Sequence, residues 1–194
     1  MLTSKPLRAQ VVRAAGTVLA LVLAASMVMG ASSSRIVWEA ENYSSIVAPM
    51  TVGSSIQKDK LGSTPSGGKY LTIPPQPHEE SPAKVVYKVK VSTAGAYTLF
   101  GRRYWQDGCG NSFYFRINGG TAVVFGEDAT YNFWKWTELK QPVTLKAGVN
   151  TIEVFQNKKE RGVNLDQLVL QRGSGRVAVP VKAETPTPNA IVKE

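Results

Sequence analysis

The chain has 194 residues, a formal net charge of +9 and one cysteine, Cys109. That length suits one domain with extensions, and a single cysteine excludes an internal disulfide framework, so an exported domain here must stand on its core or on a bound metal. Lys5, Arg8 and Arg13 are the only charges in residues 1–30, and the +6 left beyond them is scattered, without the stripe or motif of a nucleic-acid-binding surface.

Residues 1–13 are basic, Ala14 to Ala31 carry no charge, and the apolar run Thr17 to Met29 ends in the small residues Gly30, Ala31 and Ser32. This is the pattern of a secretory signal peptide over 1–30, with Val28 and Gly30 at the −3 and −1 positions. The alternative is an uncleaved N-terminal anchor, because the uncharged run is near the lower limit for spanning. No cysteine stands at its end, which excludes a lipoprotein anchor. Either reading takes the domain out of the cytoplasm, as a secreted, periplasmic or cell-envelope protein.

From Ile36 to Tyr43 the chain alternates, with Trp38 and Ala40 on one face and Glu39 and Glu41 on the other. Gly53 to Gly68 is loop-rich. The four prolines between Ile73 and Pro82 exclude a central strand or a helix and make that stretch, with His78 inside it, a surface connection. Ala83 to Ser92 is the clearest strand: Val85, Tyr87, Val89 and Val91 alternate with Lys84, Lys88 and Lys90. Further strands are predicted at Ala96–Trp105, around Phe113–Ile117, at Thr121–Phe125 after the Asn118-Gly119-Gly120 hairpin signal, at Phe133–Leu139, at Asn150–Phe155 and at Val163–Gln171. Short strands with turn signals about every ten residues, and no helix-period segment, mean an all-β sandwich or barrel. Residues 35–172 are its expected extent. From Gly173 onward no core pattern remains, and 173–194 reads as a disordered tail containing Pro and Thr.

The central stretch, Gly101 to Trp136, gathers flat rings beside short polar side chains: Tyr104, Trp105, Asp107 and Asn111, then Phe133, Trp134 and Trp136. A pyranose stacks its C–H face on an aromatic ring, and its hydroxyls donate to planar Asp carboxylates or exchange hydrogen bonds with Asn amides. The residues therefore point to carbohydrate binding.

Four segments carry a resemblance to the family 6 and family 35 carbohydrate-binding modules: Trp38–Tyr43, Gly95–Leu99 leading to Arg103–Trp105, Asn111–Gly120, and Leu145–Ile152 through Val163–Leu168. The resemblance implies a galactose-binding-like β-sandwich jelly roll and a non-catalytic, lectin-like role towards a polysaccharide or oligosaccharide. It also implies a structural Ca²⁺ at Glu39, Glu41 and Asp166, the last expected on one face with Leu168 and Leu170. The implied ligand-binding residues are Tyr43, Trp105, Asp107, Asn111, Phe133, Trp134 and Asn157, with Trp136 as a core residue and Trp38, Tyr97, Phe113 and Phe115 as core packing. Trp134 and Trp136 are two positions apart, which puts both on one face of a regular strand; Phe133 and Trp134 both remain open as the stacking ring. The net charge is compatible with an acidic polysaccharide.

Two other readings stand beside this one. A polysaccharide-active enzyme would need facing carboxylates, and nothing in the spacing of Asp107, Glu127 and Asp128 singles them out; a Ser-His-Asp arrangement would have to use His78. An extracytoplasmic structural or adhesion sandwich would instead bind a protein, with cell-envelope or enzyme partners. No nucleic acid is expected, and a membrane only if the leader stays attached.

Overall fold

The computed structural model of the chain describes residues 35–54, 58–75, 79–173 and 182–193; the expected leader at 1–30, His78 and residues 174–181 lie outside the described residues. In chain order the strands are β1 (Arg35–Glu39), β2 (Ser45–Val47), β3 (Thr51–Gly53), β4 (Tyr70–Ile73), β5 (Lys84–Val91), β6 (Gly95–Trp105), β7 (Ser112–Ile117), β8 (Val123–Gly126), β9 (Lys135–Glu138), β10 (Val143–Leu145), β11 (Gly148–Gln156) and β12 (Val163–Arg172). One 3₁₀ turn, Ser66–Gly68, is the sole helical element among the described residues, and no helix there is long and apolar enough to cross a membrane.

The strands form two antiparallel sheets, as the alternation predicts. One has seven strands, ordered β10-β6-β12-β4-β3 with β1 added to β12 and β9 to β6; the other has five, ordered β2-β5-β11-β7-β8. The inward residues of β5 (Val85, Tyr87, Val89 and Val91) are buried, whereas Lys90 is exposed and Lys84 and Lys88 are half-buried. On β6, Leu99, Gly101, Arg103 and Trp105 face inward, and Phe100, Arg102 and Tyr104 take the outer side of the seven-stranded sheet. Each fully buried Val, Leu or Phe side chain contributes roughly 1.5–3 kcal/mol. Gly101 has a packing reason: a Cβ there would lie 2.7 Å from the Phe125 ring.

Arg103 is a charged residue inside this core. Its guanidinium stacks 5.0 Å from the Trp105 ring, donates to the Thr130 carbonyl at 2.9 Å and to the Thr137 hydroxyl at 3.1 Å, and pairs with Asp128. A buried charge persists only when paired and hydrogen-bonded in this way.

Three expectations are corrected here. First, Asp166 does not share a face with Leu168 and Leu170. The β6–β12 register shifts between Leu165 and Gln167, so Leu165 and Leu168 both enter the core and Asp166 turns to Arg102; a bulge inserts one residue and resets the alternation. Second, Trp136 is buried, but with Val37, Phe100 and Val169 on the outer face of the seven-stranded sheet rather than between the sheets. Third, the expected tail is docked where it is described. The Trp136 indole donates to the Lys182 carbonyl at 3.0 Å, Glu184 and Gln167 exchange two hydrogen bonds at 2.8 Å, and Glu184 pairs with Arg35 at 2.6 Å. Thr187 bonds to Val37 of β1, Ile191 bridges Val89 of β5, and Ala190 and Ile191 join the main core. The segment closes one strand of each sheet along its open edge, which explains how Pro- and Thr-rich sequence is held without a pattern of its own.

Candidate functional site

The half of the outer face that the returning segment leaves free carries a cavity of about 540 Å³. Its floor follows from register. Asn164 of β12 stands opposite Thr72 of β4 on one side and Tyr104 of β6 on the other. Since Leu71, Ile73, Trp105, Val163 and Leu165 point into the core, their neighbours Tyr70, Thr72, Tyr104 and Asn164 point out. Tyr70 lies opposite Gly53 of β3, and its ring covers that glycine so closely that a Cβ there would sit 2.5 Å from it. Gln106, Asn132, Gly162 and the Pro74-Pro75 pair complete the rim.

Trp134 stands behind this cavity as support for the tyrosines. Its ring lies 5.9 Å from Tyr70 and 5.3 Å from Tyr104, with the Arg102 guanidinium 5.4 Å away on another side. Asp59 fixes it: one carboxylate oxygen accepts from the backbone N–H groups of Leu61 and Ser63, both at 2.8 Å, and the other accepts from that of Trp134 at 3.0 Å. Burial raises the pKa of the Tyr104 hydroxyl, and the Asp59 charge adds to the rise. That hydroxyl donates to Asn132 Oδ1 at 3.0 Å, and Asn164 Nδ2 donates to the carbonyls of Tyr104 and Gly162.

None of the seven sequence-predicted ligand residues lines this cavity. Trp105 is 0% exposed, facing inward against Phe113 at 5.8 Å and Phe125 at 6.4 Å, so its ring has no face left for a ligand. Asn157 is 4% exposed and donates to the Ser112 hydroxyl at 2.8 Å. Both are corrected to structural residues. Tyr43 packs half-buried against the core under the Lys193 amine, and Phe133 lies half-buried under the Lys60 amine, 5.7 Å away. Asp107 is exposed and accepts from the Cys109 N–H at 2.8 Å, while the Asn111 N–H donates to Glu160. Trp134 is close to the cavity without lining it, 8% exposed and packed behind Tyr70 and Tyr104, and lies on the same sheet face as Trp136. Sequence reasoning missed Tyr70, Thr72, Gln106, Asn132 and Asn164, and gathered Tyr104 with the central rings without placing it among the ligand-binding residues. The signal for Tyr104 was its parity, opposite to Trp105; that for Asn164 was its parity, opposite to Val163 and Leu165.

Glu39, Glu41 and Asp166 are differently engaged. Asp166 accepts from the Ser66 N–H at 2.7 Å and pairs with Arg102, which also donates to the Thr64 carbonyl at 3.0 Å. Burial drives the Asp166 carboxyl up to about 7 although the guanidinium opposes the rise. Glu39 Oε1 accepts from the Ser66 hydroxyl at 2.9 Å and from the Gln167 amide at 2.8 Å. Glu39 Oε2 and Glu41 Oε2 are buried without a hydrogen-bond partner. Burial also raises the Glu41 carboxyl above its usual range, with the Glu39 charge contributing and a backbone hydrogen bond opposing. Among the described residues no three His, Cys, Asp or Glu side chains converge as a metal cluster. Two orphaned carboxylate oxygens nonetheless fit a hard cation, with Asp166 held by Arg102.

The sequence matches no protein-family profile, and no curated protein matches it at significance. Its fold does have counterparts among solved structures. A family 35 carbohydrate-binding module from Clostridium thermocellum aligns with TM-score 0.53 and 21% identity over 70% of this chain and 97% of the module. A family 35 module from Paenibacillus barcinonensis aligns with TM-score 0.53 and 18% identity over 71% and 98%. An exo-β-1,3-galactanase from Phanerochaete chrysosporium aligns with TM-score 0.52 and 19% identity over 71% of this chain, which spans 29% of that enzyme. At these identities the likeness is one of fold. The chain has the β-sandwich of the family 35 carbohydrate-binding modules.

Proposed function

We propose that this chain is a secreted, non-catalytic carbohydrate-binding module that takes a glycan in the cavity on the outer face of its seven-stranded sheet. The observation that carries the reading is the convergence, on one open face, of two tyrosines backed by a tryptophan with the side chains of Gln106, Asn132 and Asn164. Rings give the sugar a surface to pack on, and amides read its hydroxyls. Among the described residues no carboxylate lines the cavity, which supports binding rather than the paired-acid chemistry of glycoside hydrolysis.

The leader at 1–30 supports export. Glu39 and Glu41 would hold a structural Ca²⁺, which supplies positive charge to two buried carboxylate oxygens. Asp166, the third residue implied by the resemblance, joins only in competition with the Arg102 guanidinium. Such an ion would brace the end of β1 without taking part in ligand chemistry.

The test is binding of the whole chain to a panel of plant, algal and bacterial polysaccharides, with Ca²⁺ and with a chelator. Retention on one polysaccharide class, weakened at least tenfold (about 1.4 kcal/mol) by Tyr104→Ala or Asn164→Ala and unaffected by Asp107→Ala, supports the reading. If the folded protein bound no glycan, the reading would fall and the protein-binding sandwich would take its place.

A further inference from the structure

The inference rests on the cavity being a glycan site and concerns which glycans it admits. The chain carries a formal net charge of +9, yet among the described residues no charged side chain lines the cavity. The hydrogen-bonding side chains described there are all neutral. Among the described residues the Tyr70 hydroxyl and the Gln106 amide have no hydrogen-bond partner, and Asn132 and Asn164 each engage one end of the amide and leave the other open.

The neighbouring cations face other partners. Arg102 pairs with Asp166, Lys60 lies over Phe133, and Arg161 donates to the Pro75 carbonyl at 2.8 Å. One fixed anion, Asp59, is buried behind Trp134 and close enough to Tyr104 to help raise its pKa. A hydroxyl entering this cavity exchanges one set of neutral hydrogen bonds for another. A carboxylate or sulfate would lose water with no cation among the described lining residues to meet it, Arg161 being held at the rim on the Pro75 carbonyl, and would feel Asp59 from behind Trp134.

We propose that this cavity selects uncharged glycans and rejects uronate or sulfated chains of comparable linkage, against what the basic net charge alone would suggest. The experiment is calorimetric titration of the whole chain with a neutral and an acidic partner of each backbone, galactan against galacturonan and mannan against mannuronan, at low and high salt. The expected result is at least tenfold tighter binding of the neutral partner (about 1.4 kcal/mol), with an affinity that changes by less than about twofold with salt, because screening acts only on charges. Gln106→Lys, at an exposed rim position, should raise affinity for the acidic partner and make it salt-dependent. Tighter binding of the acidic partner, weakened by Tyr104→Ala or by Arg161→Gln, would overturn the selectivity and leave the glycan site standing. Binding of neither partner, by protein that is still folded, would overturn both.

Discussion

Arg102→Met tests the electrostatics on which this end of the sandwich depends. Arg102 and Asp166 are both buried, and the guanidinium is the only cation paired with that carboxylate among the described residues. The substitution keeps most of the side-chain volume but leaves Asp166 with the Ser66 N–H alone and the Thr64 carbonyl without its side-chain donor. Removing one partner of a buried pair costs about 3–5 kcal/mol. The cost should depend on pH with a definite sign. Burial lifts the folded Asp166 carboxyl from 3.8 to about 7, so the folded state holds the extra proton, and the stability it confers is full below about pH 4 and lost as pH rises through 7. Without Arg102 the carboxyl rises further and is protonated over a wider range. The loss should therefore be near its full size at pH 8 and much smaller at pH 5. Urea unfolding followed by tryptophan fluorescence at both pH values measures it. Adding Asp166→Asn to Arg102→Met should recover part of the loss at pH 8, because the two residues act as one unit. A loss below about 1 kcal/mol at pH 8, or one equal at both pH values, would refute the reasoning.

Other predictions concern the cation, the cavity and the returning segment. Ca²⁺ should raise the melting temperature more at pH 8 than at pH 5, since it competes with a proton on a Glu41 carboxyl already raised by burial; thermal scans with Ca²⁺ and with chelator would show an identical curve if no ion binds. Gly53→Ala sets a methyl 2.5 Å from the Tyr70 ring and should weaken glycan binding by about tenfold, at a stability cost of about 1 kcal/mol. Unchanged affinity would remove Tyr70 from the site. Ile191→Ala should cost about 2 kcal/mol in urea unfolding, the low end for an aliphatic truncation, because the residue sits at the edge of the core. An unmoved midpoint would mean that the segment is not docked.

Much of the fold was legible because strand alternation is a local property. The spacing of Val85, Tyr87, Val89 and Val91 needed no partner to be read, and a period of two puts Leu99, Gly101, Arg103 and Trp105 on one side of their strand, the side that the structure turns inward. Taking Trp105 as a ligand residue weighed its chemistry over its parity, and its complete burial settles the matter in favour of parity. The loop composition around Asp107 and Asn111 pointed to a site where the structure has loop-capping hydrogen bonds.

What the sequence by itself determined is the two-layer, all-β character of this chain and the inward face of its long strands, since each residue's side follows from the one before it. Tertiary structure alone decided the cavity. Thr72, Tyr104 and Asn164 are far apart along the chain and fall into one row only because β4 and β6 flank β12 in one register. It also decided the bulge that turns Asp166 to Arg102 and the docking of residues 182–193. Each depends on which strands become neighbours, and that choice is fixed by burying one shared core, which no local window of sequence contains.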